Sequence, residues 1–205
     1  MNTLIAALLL AHAPTAAPPR PECTRTTSRR IIDVHVHAYG DEALKAMNAD
    51  NPVTGDKAYA KSATEHRDAT FCALQRHNIV RAVVSTEDWD AVQLWKSQDP
   101  ARIIGSFAMD DPQKFDVDRF RREHKAGWLK VLGEFAPQYE GYAPADPALE
   151  PMFALAEELD VPVAFHMHPG PPGANYDWGM TKMRAANGRP LLLEPVLARH
   201  PKMRI

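Results

Sequence analysis

Cysteine is nearly absent: the 205 residues hold two, Cys23 and Cys72, and no CxxC pair. That excludes a disulfide-built miniature scaffold, a zinc ribbon and a thioredoxin-like redox site. An excess of one charge is lacking too. Lys and Arg number 24 against 26 Asp and Glu, a net charge of -2, with no basic stripe to neutralise phosphates, which argues against a general nucleic-acid binder. No GxGxxG follows the first strand-like run and no GxxxxGKS/T loop occurs, so the usual nucleotide cradles are missing, and without a GxSxG there is no serine-hydrolase elbow. Long apolar runs are also missing. Leu4 to Ala11 is far too short to span a bilayer.

That short run ends in Ala11-His12-Ala13, so residues 1–13 resemble a cleaved signal peptide, although the segment before the run has no Lys or Arg. The expectation is an exported protein, periplasmic or secreted. Residues 14–29, rich in Pro, Thr, Ser and Arg, read as a flexible linker, and the domain proper is placed at 30–205. In an oxidising compartment Cys23 and Cys72 can pair; two free thiols are the competing reading.

From Arg30 onward, short β-branched runs alternate with amphipathic helical stretches, the pattern of parallel βα units. Strands are predicted at Ile31–His37, Ile79–Ser85, Arg102–Met109, Trp128–Glu134 and Val161–His168, and Lys202–Ile205 begins a sixth. Helices are predicted at Thr64–His77, Trp89–Ser97, Phe115–Lys125, Asp146–Asp160 and Leu191–His200, with Asp146-Pro147 as an N-cap and N1 pair. The fold class is α/β. Polar residues gather at the carboxyl ends of the strands, where parallel α/β folds carry their chemistry.

The first strand ends Asp33-Val34-His35-Val36-His37. Strand side chains alternate, so His35 and His37 face the same way and both imidazoles can reach one metal ion. Glu134 ends the fourth strand, where a carboxylate can bind or bridge metals or simply meet solvent. Lys130, two positions deeper, is either structural or a carboxylated metal bridge. His166 and His168 share a face at the end of the fifth strand; the rigid Pro169–Gly173 loop carries His168 toward substrate or solvent. Tyr176 and Trp178 in the following loop either contact substrate or pack the loop onto the rim. His66, His77, His124 and His200, in predicted helices flanked by charges, are assigned surface roles. Trp89 and Trp95 are assigned to packing, and Arg119, Arg121 and Arg122 to a solvated helix face.

These motifs, in this order, resemble the amidohydrolase superfamily, in particular its amidohydrolase-2 branch of metal-dependent TIM-barrel enzymes. The likeness rests on Ile32-Asp33-Val34-His35-Val36-His37, Gly133-Glu134, the run from Asp146-Pro147 to Val163-Ala164-Phe165-His166, and Leu197-Ala198-Arg199-His200-Pro201-Lys202-Met203-Arg204-Ile205. It implies a divalent cation, usually zinc, one ion or two, held by His35, His37 and His166. Glu134 can join that site as ligand and catalytic carboxylate; His168, Tyr176 and Trp178 stay the residue-level candidates for substrate contact. The family also uses a histidine after strand six and an aspartate after strand eight, and neither position exists here. Because 205 residues fall short of the roughly 250 that eight βα units need, a partial barrel of five units and the start of a sixth strand is expected. The activity implied is hydrolysis of an amide, ester or lactone. A decarboxylase of the same superfamily and a non-catalytic metal-binding or interaction fragment are the alternatives. The expected partner is a small-molecule substrate, with no nucleic acid and no membrane span, and a homo-oligomer is left open.

Overall fold

The computed structural model describes residues 23–46, 60–168 and 179–205. Five parallel strands lie in chain order: β1 (Ile31–His37), β2 (Ile79–Thr86), β3 (Ile103–Met109), β4 (Leu129–Phe135) and β5 (Val163–Phe165). Around them run α1 (Asp41–Ala46), α2 (Ala63–Arg76), α3 (Trp89–Gln98), α4 (Val117–Lys125), α5 (Glu150–Leu159) and α6 (Glu194–Arg199). Sequential parallel strands separated by crossover helices form part of a TIM barrel, as expected. Among the described residues no helix is long and apolar enough to cross a membrane.

Local chemistry sets the helix starts. Ser62 accepts the Glu65 N–H ahead of α2, Asp88 those of Asp90 and Ala91 ahead of α3, and Asp116 that of Arg119 ahead of α4. Phe115 therefore lies before α4 rather than within it, as does Asp116. Asp146 does cap with Pro147 behind it, but the turn it starts is a 3-10 segment, Pro147–Leu149, and α5 proper opens at Glu150. Likewise Pro190–Leu193 is a 3-10 turn before α6. The short helix α1 has no counterpart among the predicted helices.

The strand interiors bury two apolar clusters. The larger joins β3, β4 and β5 to α4 and α5 through Phe107, Phe120, Leu132, Phe135, Met152 and Phe153; the smaller joins β2 to α2 and α3 through Leu74, Val84 and Trp95. Trp89 stacks on Phe107 and carries the Arg119 guanidinium 4.6 Å above its ring. So Arg119 is partly a packing residue, while Arg121 bonds Glu158 and Asp118 on the surface.

Several expectations need correction. β5 is only three residues long, because Pro162 brings no N–H to the ladder, and His166 and His168 lie beyond it. The ladder continues informally: the His166 N–H donates to the Phe135 carbonyl at 2.7 Å. No sixth strand forms at Lys202–Ile205, although the Val163 N–H donates to Arg204 O at 2.8 Å, which lays that segment beside β5. Lys130 is exposed at the far end of β4 from Glu134, where an amine needs no buried partner. His200 is not a surface residue but 6% exposed, between Glu150 at 2.7 Å and Glu157 at 3.1 Å. His124 is half-buried and bonds the Leu129 carbonyl.

Cys23 and Cys72 form a disulfide, which settles the two readings of these thiols. The segment behind Cys23 is pinned along α2. Thr26 bonds the Arg76 carbonyl twice, and the Asn78 side-chain amide donates to Ser28 O and Arg29 O. The bond closes a sequence separation of 49 residues, for which loop-closure entropy alone gives about 4 kcal/mol. Reduction, or Cys72→Ser, should lower the urea midpoint accordingly. An unchanged midpoint with and without reductant would show that the arm contributes nothing to the fold.

Candidate metal centre

The parallel register brings the carboxyl ends of β1, β4 and β5 to one rim. On β1 the Asp33 carboxylate accepts the His35 N–H at 3.0 Å. His35 and His37 then project together, their Nε2 atoms 2.9 Å apart and their rings edge to face. Glu134 reaches them from β4, its Oε2 lying 3.0 Å from His35 Nε2 and 3.2 Å from His37 Nε2. The other oxygen, Oε1, meets Nδ1 of His166 just past β5.

Glycine makes this approach possible. Gly133 has φ +124°, and a Cβ there would collide with the Ala164 carbonyl, so β4 and β5 close up immediately beside Glu134.

The donors fit a divalent cation by chemistry and spacing. Two imidazole nitrogens and a carboxylate oxygen converge, and ligands at about 2.0–2.1 Å from a tetrahedral zinc ion sit roughly 3.3 Å from one another. Imidazole nitrogens facing each other at 2.9 Å can share only one hydrogen bond between them, whereas both lone pairs can address a cation.

Outer contacts hold the donors in place. His66 on α2 has Nε2 2.8 Å from the His37 carbonyl, and Tyr39 stacks on the His37 ring and touches His66. His66 is thus a support of the rim, not the surface residue expected from its sequence. Tyr139 lies in the 3-10 turn Pro137–Glu140 after β4, with its hydroxyl 3.0 Å from His166 Nε2.

These groups open onto a cavity of about 750 Å³ lined by His37, Tyr39, Asp110, Glu134, Tyr139 and His166, together with Met180. A second, smaller cavity of about 180 Å³ lies near Asn78, Arg81 and Arg102, around the amino ends of β2 and β3 and away from this chemistry.

Charge at the rim is unevenly distributed. Burial pushes the Glu134 carboxyl up, but hydrogen bonds from His166 and His37, with the attraction of His166 and His35, outweigh it and hold the group well below the usual carboxylate range. Burial raises the phenols of Tyr39 and Tyr139, and nearby carboxylates raise them further. Asp110, just past β3, is pushed up to about 7 by burial and then by Glu87, with His166 pulling it down.

Of the residues singled out from sequence, His35, His37, Glu134 and His166 come together. His168 is exposed, its ring centroid 5.7 Å from that of His166. Tyr176 and Trp178 lie outside the described residues, as do residues 1–13. Sequence reasoning missed Asp33, Tyr39, His66, Asp110 and Tyr139. Asp33 sits inside the quoted β1 motif, and Asp110 ends a predicted strand, so position alone could have raised both; the contacts of His66 and Tyr139 leave no local trace.

Five consecutive parallel βα units with their ionisable groups at the carboxyl ends define a TIM-barrel protein spanning part of the barrel. Residues 32–205 match the amidohydrolase family model, and the chain belongs to that family. No curated protein matches it. Among solved structures it is similar to an uncharacterised TIM-barrel protein from Bordetella bronchiseptica, at 17% identity and TM-score 0.54, over 85% of this chain and 65% of that one. It is also similar to a probable 2-pyrone-4,6-dicarboxylic acid hydrolase from Acinetobacter baumannii with citric acid bound, at 18% identity and TM-score 0.47, over 67% of this chain and 49% of that one. The chain therefore spans less than two thirds of the length of either.

Asp110 supplies a pH test. Its folded value of about 7 lies above the ordinary 3.8, so the folded state holds the proton more tightly and this group's contribution is lost as pH rises through that window. Asp110→Asn cannot ionise. In chelator-treated protein the variant should be the more stable form at pH 8, by on the order of 1–2 kcal/mol after allowance for solvent screening. The gap should close near pH 4. Paired urea titrations at the two pH values check this, and a wild type more stable at pH 8 would refute it.

Proposed function

We propose that this chain carries the β1, β4 and β5 side of a divalent-metal centre in a hydrolase of amide, ester or lactone bonds. The observation that carries the reading is the convergence of His35 Nε2, His37 Nε2 and Glu134 Oε2 at the rim of a cavity. Zinc suits two imidazoles and a carboxylate, and His166 Nδ1 stands next to the same carboxylate. A cation held by these donors would polarise a carbonyl oxygen and bring the pKa of a water down toward roughly 7.

The chain's own residues do the rest. His35 and His37 present unshared pairs from a strand whose pleat fixes their spacing. Glu134 stays ionised and joins β1 to the His166 side through its two oxygens. The Asp110 carboxyl, with its pKa near neutrality, can accept or return a proton at the cavity wall. Tyr39 and Tyr139 keep their phenolic protons and present them as hydrogen-bond donors to a bound oxygen. Apolar wall positions at Ala38, Ala108, Ala136 and Met180 limit water around them.

Export is part of the same proposal. Its support is the apolar leader with its Ala-His-Ala end and the Cys23–Cys72 disulfide, a bond that persists in oxidising compartments.

The test is metal stoichiometry by elemental analysis and zinc titration calorimetry, followed by hydrolysis of a panel of esters, lactones and amides. Wild-type protein should retain about one equivalent or more. His35→Ala combined with His37→Ala should lose it, and any hydrolysis should fall to background in that variant and in chelator. Unchanged metal content in the double variant would remove the basis of the proposal.

A further inference from the structure

The amino ends of β2 and β3, at the opposite end of the sheet from the imidazoles, gather positive charge. The cavity of about 180 Å³ there has four charged lining residues, Arg25, Arg81, Asp99 and Arg102. Three guanidiniums thus face one carboxylate, and they come from three separate parts of the chain. Arg25 lies in the segment behind Cys23, Arg81 on β2, and Arg102 in the turn that leads into β3.

Each arginine is placed while most of its donors stay uncommitted. Arg81 engages Nη1 alone, which donates to the carbonyls of Val80 and Ala101. Arg102 is tied to Asp99 by its backbone N–H at 3.1 Å and by Nη1 at 3.4 Å. Arg25 has no hydrogen bond or ion pair among the described residues, yet the chain on both sides of it is fixed. Cys23 is bonded to Cys72, and Thr26 bonds the Arg76 carbonyl twice. The disulfide therefore keeps a guanidinium at the cavity that has no structural duty of its own.

The surrounding field has the same sign. Lys96, whose ammonium donates to the Ile103 carbonyl at 3.0 Å, is held below its ordinary value by burial and then by the charges of Lys130 and Arg81. Like charges gathered this closely favour an anion among them. Planar guanidinium forks match the paired oxygens of phosphate and carboxylate, and the surplus of positive charge over Asp99 suits a ligand with two negative charges. The concave shape and small volume select a small ion, since a nucleic-acid strand needs an extended basic stripe.

We infer that this cavity binds a small doubly charged oxyanion, a phosphate group or a short dicarboxylate, between Arg25, Arg81 and Arg102. The site is separate from the metal centre and does not rest on it. An ion bound there would tie the segment behind Cys23 to β2 and β3.

The experiment is calorimetric titration of the full chain, disulfide intact, with inorganic phosphate and separately with malonate in low-salt buffer. Saturable binding of at least one of them is expected, and the tighter of the two tells a phosphate site from a dicarboxylate site. Arg25→Gln, which removes no contact the fold uses, should weaken binding about 10-fold, and Arg102→Gln should do the same. Lys125→Gln, exposed at the end of α4, changes the net charge equally and should leave the affinity as it is. Binding should also survive in the variant combining His35→Ala with His37→Ala. The inference is overturned if neither anion saturates, if both arginine variants bind as wild type does, or if Lys125→Gln weakens binding as much as they do. Loss of the anion in the double histidine variant, with Arg25→Gln unaffected, would move the binding to the rim and overturn it as well.

Discussion

One carboxylate joins the two sides of this rim. Glu134 stands between the β1 imidazoles and His166, offering Oε2 to the first pair and Oε1 to the second. It can occupy that position because β4 lies beside β5 at a glycine with no side chain to hold the strands apart, and because its charge is held by hydrogen bonds from two sides in spite of its burial. The supports of His35, His37 and His166 follow from that geometry: Asp33 on a strand amide, His66 on a strand carbonyl, Gln138 and Tyr139 on the third histidine.

Much of this is legible without coordinates, for identifiable reasons. Buried parallel strands have to be apolar and helices between them amphipathic, so β2, β3 and α3 appear within about a residue of their predicted bounds. His35 and His37 are readable because a two-residue period fixes which way both point. Glu134 and His166 are readable because strand ends are where this architecture keeps its chemistry.

What escapes a sequence reading depends on contacts between residues far apart in the chain. His200 lies between Glu150 and Glu157, which are 50 and 43 residues away, and a charged local neighbourhood makes it look solvent-facing. His66 reaches a carbonyl 29 residues earlier. β5 looks longer in the sequence than it is because apolar composition continues through Val161 and Met167, whereas Pro162 at one side and the turn of the chain at the other decide where the ladder stops. The two cysteines can be read either way, since pairing is a question of distance that composition does not hold.

β1 also matters for what lies outside the rim. Among the described residues it pairs with β2 alone, and Ile32 and Val34 on it are 63% and 69% exposed. The strand that presents His35 and His37 to the rim therefore also carries apolar side chains on the outside of the described sheet.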